Sequence, residues 1–312
     1  MIKVRQVLLC SAVPFFFLAA SCVRENSSRK QDIHVQQMSG FPNQEFGYEL
    51  GVSACYVGII GNKLVMAGGC NFAGKSAAEG GPKYFYKGIY TAEITKDSVL
   101  VWKQVGELPS PVAYGVSISR SGEMILIGGN NADGGLTSVF RLKLAEDGGA
   151  ILDTLPSLPF ALDNMSGAAS GNTIYVAGGN RNGSPSTSML SLNLNEPELG
   201  WKEEVPFPGA ARVQPVCAVQ DGMLYLWGGF CPSQNGGEAS VATDGYRYLP
   251  LQEKWEPVPA PAVAETGESL TLTGGTSCVW SDSIILCTGG VDKDIFLDAI
   301  SGDYKRIAKE DY

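Results

Sequence analysis

Three short stretches gather side chains able to handle a small, charged, hydroxyl-rich ligand. CNFAGKSAAEGGPKYFYK carries Asn71, Phe72, Glu79 and Lys83; LDNMSG carries Asp163 and Asn164; GAARVQP carries Arg212 and Gln214. Arginine presents five donors in a fixed fork and suits a carboxylate held at two points. Aspartate orients hydroxyls, and the amides of Asn164 and Gln214 both donate and accept. Each also has a plainer reading. Arg212 can pair with a carboxylate of a neighbouring repeat, Glu79 can be a solvated loop residue, and Asp163 can close the turn ahead of its strand. The only histidine is His34, far upstream of these stretches. That leaves no imidazole there for a copper site or a Ser-His-Asp triad. No Cys-x-x-Cys or Cys/His metal spacing occurs, so no metal or cofactor is expected. Acid–base chemistry would fall to Glu, Asp, Tyr, Lys or Arg.

The elements that position these loops repeat along the chain. KLVMAGG, EMILIGG, TIYVAGG, MLYLWGG and SIILCTGG align on second glycines at 69, 129, 179, 229 and 290, spaced 60, 50, 50 and 61 residues apart. Each apolar run follows a turn signal (Gly61-Asn62, Ser121-Gly122, Gly171-Asn172, Asp221-Gly222, Ser281-Asp282), and a short small-residue strand precedes the turn. That pattern reads as a hairpin. A third strand follows in GIYTAEI, SVFRLKL, SMLSLNL and GYRYLPL. A fourth carries Trp and a proline-rich exit in VWKQVGELPSP, GWKEEVPFPG and KWEPVPAPA, whereas AILDTLPSLPF lacks the Trp. Four antiparallel strands per fifty to sixty residues, with Gly-Gly and Trp, is the signature of an all-β, kelch-type β-propeller of about five blades. The glycines are expected to let backbones approach near the axis, and the Trp to sit between blades. In this geometry the loop leading into strand one and the loop after Gly-Gly share a face, around the channel mouth where propellers take ligands.

The 312 residues divide into an apolar leader over 1–21, a polar stretch over 22–40 and the propeller over 41–312. Lys3 and Arg5 precede the apolar run Val7 to Ala20, too short for a comfortable span, and LAASC closes it ahead of Cys22. LAASC resembles the bacterial lipobox, which implies lipidation of Cys22; an ordinary cleaved signal is the alternative. Either reading sends the chain to the cell envelope, in the first case anchored by lipid in the periplasm or at the outer membrane. The formal charge of -9 leaves no basic stripe for nucleic acid. Of the eight cysteines, Cys55, Cys217, Cys278 and Cys287 read as small buried hydrophobes, and Cys70 and Cys231 as loop residues after Gly-Gly.

Specific strings go further than the period. GVSACYVGIIGNKLVMAGGCNF, EGGPKYFYKGIY, VAYGVSIS, LDNMSGAASGNTIYVAGGN, FPGAARVQP and GGVDKDIFLDA resemble the N-acetylneuraminate epimerase (sialic acid mutarotase) family, in its cyclically permuted branch. The resemblance implies a six-bladed propeller that interconverts anomers of N-acetylneuraminate by acid–base ring opening. It implies Arg212 for the substrate carboxylate and a catalytic role, Glu79 as a second catalytic candidate, and substrate contacts from Asn71, Phe72, Lys83, Asp163, Asn164 and Gln214. One departure stands out: the G-E-x-K-P-G-x-R string of the family does not occur, and its block is expected beyond GGVDKDIFLDAI. That leaves two expectations: a mutarotase truncated at its C-terminal part, or a non-catalytic, lipid-anchored module binding a glycan or protein. The segment IHVQQMSGFP reads as a fourth strand lacking its Trp, able to close the ring or to border a gap.

Overall fold

The computed structural model describes residues 38–95, 99–233 and 238–291, with residue 293 and residues 296–298 beyond them. The leader, Cys22, His34 and most of the polar stretch lie outside the described residues. Four sheets of four antiparallel strands follow one another in chain order. The first holds β1 (Tyr56–Ile60), β2 (Lys63–Ala67), β3 (Gly88–Glu93) and β4 (Lys103–Glu107). The second holds β5 (Val116–Arg120), β6 (Glu123–Ile127), β7 (Val139–Leu144) and β8 (Ala150–Thr154). The third holds β9 (Ser166–Ser170), β10 (Thr173–Ala177), β11 (Met189–Asn193) and β12 (Lys202–Glu203). The fourth holds β13 (Val216–Gln220), β14 (Met223–Trp227), β15 (Gly245–Leu249) and β16 (Lys254–Pro257). A fifth pairs β17 (Gly275–Ser281) with β18 (Ile284–Gly289). Each sheet is a meander, as the repeat predicts. The turns use the expected residues: Gly61, Gly122, Gly171, Asp221 and Gly222 have positive φ.

The core is divided among the seams between blades. Successive side chains of a strand point to opposite faces, so one strand feeds two seams. In β6, Met124 and Leu126 join Tyr56, Val65, Ile89 and Leu108 of blade one. Ile125 and Ile127 join Phe160, Leu162, Ile174 and Val176 of blade three. Tyr175, Phe207, Leu224, Tyr248 and Trp255 fill the next seam. Each fully buried side chain of this size contributes about 1.5–3 kcal/mol.

Two polar devices lock the seams. The Gly-Gly pairs approach the leading loop of the following blade. Gly69 N–H donates to Val112 O at 2.7 Å, Gly129 to Leu162 O at 2.9 Å and Gly179 to Arg212 O at 2.8 Å. A Cβ on Gly68, whose φ is +64°, would lie 2.5 Å from Val112 O, so only glycine fits. The fourth-strand tryptophans reach back across the preceding seam: Trp201 Nε1 donates to Pro156 O at 2.9 Å and Trp255 Nε1 to Val205 O at 2.8 Å. Trp102 makes the equivalent bond to Gly40 O at 3.1 Å. Residues 38–52 therefore stand where the exit of a preceding blade would, with Tyr48 against Met66, Tyr86 and Tyr90 on the flank of blade one.

The inner strands β1, β5, β9, β13 and β17 pack side by side in chain order, and no comparable packing joins β17 to β1. Among the described residues the five blades do not seal into a ring. Val57 and Ile59 of β1 are half-exposed, as are Trp280 of β17 and Ile284 of β18. Cysteine placement departs from the sequence expectation at several positions: Cys55 and Cys287, expected buried, are half-buried. Cys278, expected buried, is exposed, because nothing described covers its side of the fifth sheet. Cys70 and Cys231, expected in loops, lie in two-residue strands and are buried. Burial pushes the Cys217 thiol up to about 12, so it behaves as a core hydrophobe.

Candidate functional site

One backbone device runs through the loops that lead into the inner strands. Two residues ahead of each inner strand in the first four blades stands a non-glycine residue with positive φ: Ala54 (56°), Tyr114 (61°), Asn164 (55°) and Gln214 (52°). Gly274, at 69°, leads into β17. A left-handed turn at a non-glycine residue is uncommon and marks a constrained position. These residues are joined in a belt. Tyr114 N–H donates to Ala54 O at 2.9 Å, Asn164 to Tyr114 O at 2.8 Å, Gln214 to Asn164 O at 2.6 Å and Gly274 to Gln214 O at 3.1 Å. Among the described residues no hydrogen bond carries the belt from Gly274 back to Ala54.

The belt sets three polar side chains beside one another. Gln214 Nε2 donates to Asn164 Oδ1 at 2.9 Å, and Asn164 Nδ2 donates to Asp163 Oδ1 at 2.5 Å. Asp163 also accepts Asn180 Nδ2 at 2.8 Å and is 4% exposed, so it anchors the two amides from below. On the other side, Lys83 Nζ donates to the Tyr114 hydroxyl at 2.8 Å. The ammonium lies 4.9 Å from the centre of the Tyr114 ring and 5.6 Å from that of Phe72. Burial raises the Tyr114 phenol and outweighs the opposing hydrogen bond from Lys83, so the hydroxyl keeps its proton at neutral pH.

The remaining expected residues are placed differently. The Arg212 side chain is 1% exposed. Its guanidinium grips both carboxylate oxygens of Asp244, and it also donates to Gly228 O at 3.1 Å and Ala210 O at 2.9 Å. The carboxylate that the fork holds is thus one from its own blade. Burial alone would raise Asp244, but the bonds and charge of Arg212 prevail and hold it below the usual range. Asn71 fastens the 47–51 turn, donating to Gly47 O and Gly51 O, both at 2.8 Å, and accepting from the Tyr86 hydroxyl at 2.7 Å. Glu79 is exposed and accepts the Ser76 hydroxyl at 2.8 Å, closing its own short helical turn. Phe72 is 38% exposed beside Lys83. Tyr114, Asn180 and Asp244 were not singled out from sequence. Tyr114 had a findable signal: it occupies the repeat position of Asn164 and Gln214, 50 and 100 residues earlier. A cleft of about 720 Å³ between blades four and five is lined by Thr243, Glu268, Thr271 and Lys293 and by none of the residues of this cluster.

The model of a family described as N-acetylneuraminate epimerase matches residues 18–151 and 155–312. An N-acetylneuraminate epimerase of Haemophilus influenzae (strain PittEE) is 34% identical over 143 residues, 46% of this chain and 35% of that protein. N-acetylneuraminate epimerases of Salmonella arizonae and Salmonella typhi are 34% and 32% identical over the same shares. The matched stretch thus spans about a third of the length of these curated relatives.

Proposed function

The chain belongs to the N-acetylneuraminate epimerase family, and we propose that it binds N-acetylneuraminate, or a closely similar acidic sugar, at the channel mouth and interconverts its anomers. The observation that carries this reading is the belt, which holds Tyr114, Asn164 and Gln214 at one level of the mouth beside the Lys83 ammonium. Anomer exchange opens a cyclic hemiketal. The anomeric hydroxyl loses its proton as the bond from the anomeric carbon to the ring oxygen breaks, and the ring oxygen gains a proton. Reclosure on the other face of the new carbonyl runs the transfers backwards. The amides of Asn164 and Gln214 supply donors for the oxygens whose charge changes, and solvent water carries the proton from the anomeric hydroxyl to the ring oxygen.

The test is proton NMR of freshly released α-N-acetylneuraminate. We expect relaxation to the anomeric equilibrium faster than the spontaneous rate, in proportion to protein concentration. A rate unchanged by protein would overturn the enzymatic reading. A second reading, a non-catalytic module binding an acidic glycan, draws on the internal bonds already made by Arg212 and Glu79. Binding without acceleration would favour it.

The leader and LAASC support export with lipid attachment at Cys22, placing the protein in the envelope, in the periplasm or at the outer membrane. Palmitate labelling that vanishes in Cys22→Ala is the expected result. The charge of -9 supports a small-molecule partner over nucleic acid.

A further inference from the structure

We propose that Lys83 and Tyr114 together form the carboxylate-binding subsite of the mouth, the task that the family resemblance implies for Arg212. The inference rests on the reading of the mouth as a site for an acidic sugar. Four of the five N–H donors of Arg212 go to Asp244 and two backbone carbonyls, and with 1% of its side chain exposed it presents no fork to a ligand. Lys83 is exposed, and of its three N–H donors one goes to Tyr114, leaving two. The Tyr114 hydroxyl accepts from Lys83 and points its own O–H toward the Cys70 sulfur, an acceptor that a ligand carboxylate displaces. The nearby Cys70 sulfur is a weaker acceptor than a carboxylate.

An ammonium and a phenol in contact thus offer donors to the two oxygens of one carboxylate, through charge-assisted bonds. Neither group is loose. The left-handed backbone at Tyr114 and its belt bonds to Ala54 and Asn164 fix the phenol. The flanking rings of Tyr114 and Phe72 hold the ammonium, so ordering the subsite on binding costs little. Phe72, 38% exposed, offers an apolar face to the C–H side of a sugar ring. Asn164 and Gln214, further along the belt, offer amides to its hydroxyls. The subsite therefore takes an acidic monosaccharide, its carboxylate on Lys83 and Tyr114.

The test is titration calorimetry of the wild type, Lys83→Met and Tyr114→Phe with N-acetylneuraminate, with its uncharged methyl ester and with glucuronate. Both variants keep the apolar part of the side chain, and unchanged circular dichroism melting checks the fold. We expect the wild type to favour acid over ester by roughly tenfold or more. Lys83→Met abolishes that preference by weakening the acid alone, and Tyr114→Phe reduces it. Equal binding of acid and ester by the wild type, no binding of any of the three, or undiminished acid binding by Lys83→Met would each overturn the subsite. Failure of the proposed function looks different. Acid binding that depends on Lys83, without anomer exchange or with glucuronate alone, removes the mutarotase reading and leaves the subsite standing.

Discussion

A guanidinium as buried as that of Arg212 depends on its counter-charge, because an unpaired ion in a low dielectric is costly. Asp244→Ala is expected to lower stability by about 2–4 kcal/mol, read from urea unfolding; the partial exposure of Asp244 sets the lower end. Arg212→Ala should likewise lower the melting temperature, so weaker ligand binding in that variant would report folding before recognition. The pH dependence has a definite sign. Asp244 is held below its ordinary value of 3.8 in the folded state. Its stabilising contribution is whole above that value and is lost as pH falls through the lower folded one. Wild type should therefore lose melting temperature more steeply below about pH 4 than Asp244→Asn does. A parallel acid profile for the two would contradict the assignment.

Between elements, the seams carry the cohesion of the propeller, and their glycines and tryptophans are separable tests. Gly68→Ala places a methyl 2.5 Å from Val112 O at a left-handed backbone position. It should cost more than about 2 kcal/mol, measured by denaturant unfolding. Trp255→Phe removes the donor to Val205 O and should cost about 1–2 kcal/mol. The blades were legible in the sequence because each strand type has its own punctuation: Gly-Gly after strand two, Trp and proline after strand three. The seam partners of those residues were not, since a carbonyl such as Val112 O or Pro156 O leaves no trace in residue type. The same limit applies to Arg212. Residue type says that a fork wants a carboxylate, but Asp244 lies 32 residues away and reaches it only through the hairpin β14–β15.

Across the whole molecule, protection should follow seam burial. β6 and β10, with cores on both sides, hold side chains that are almost wholly buried, whereas β17 and β18 keep Trp280 and Ile284 half-exposed. Amide hydrogen exchange is expected to be slowest in β6 and β10 and fastest in β17 and β18; uniform protection would contradict that gradient. The mouth was partly legible at this scale. The polar loops were visible, but the belt was hidden, because its members share a backbone angle and not a residue type. The most direct measurement is the rate of anomer exchange in N-acetylneuraminate, by exchange NMR, with wild type and Lys83→Met beside a neutral control, N-acetylglucosamine. Acceleration of the acidic sugar by the wild type, most of it lost in Lys83→Met, with N-acetylglucosamine unaffected, is the predicted result. An acidic sugar left at its spontaneous rate, or a neutral sugar accelerated equally, would contradict it.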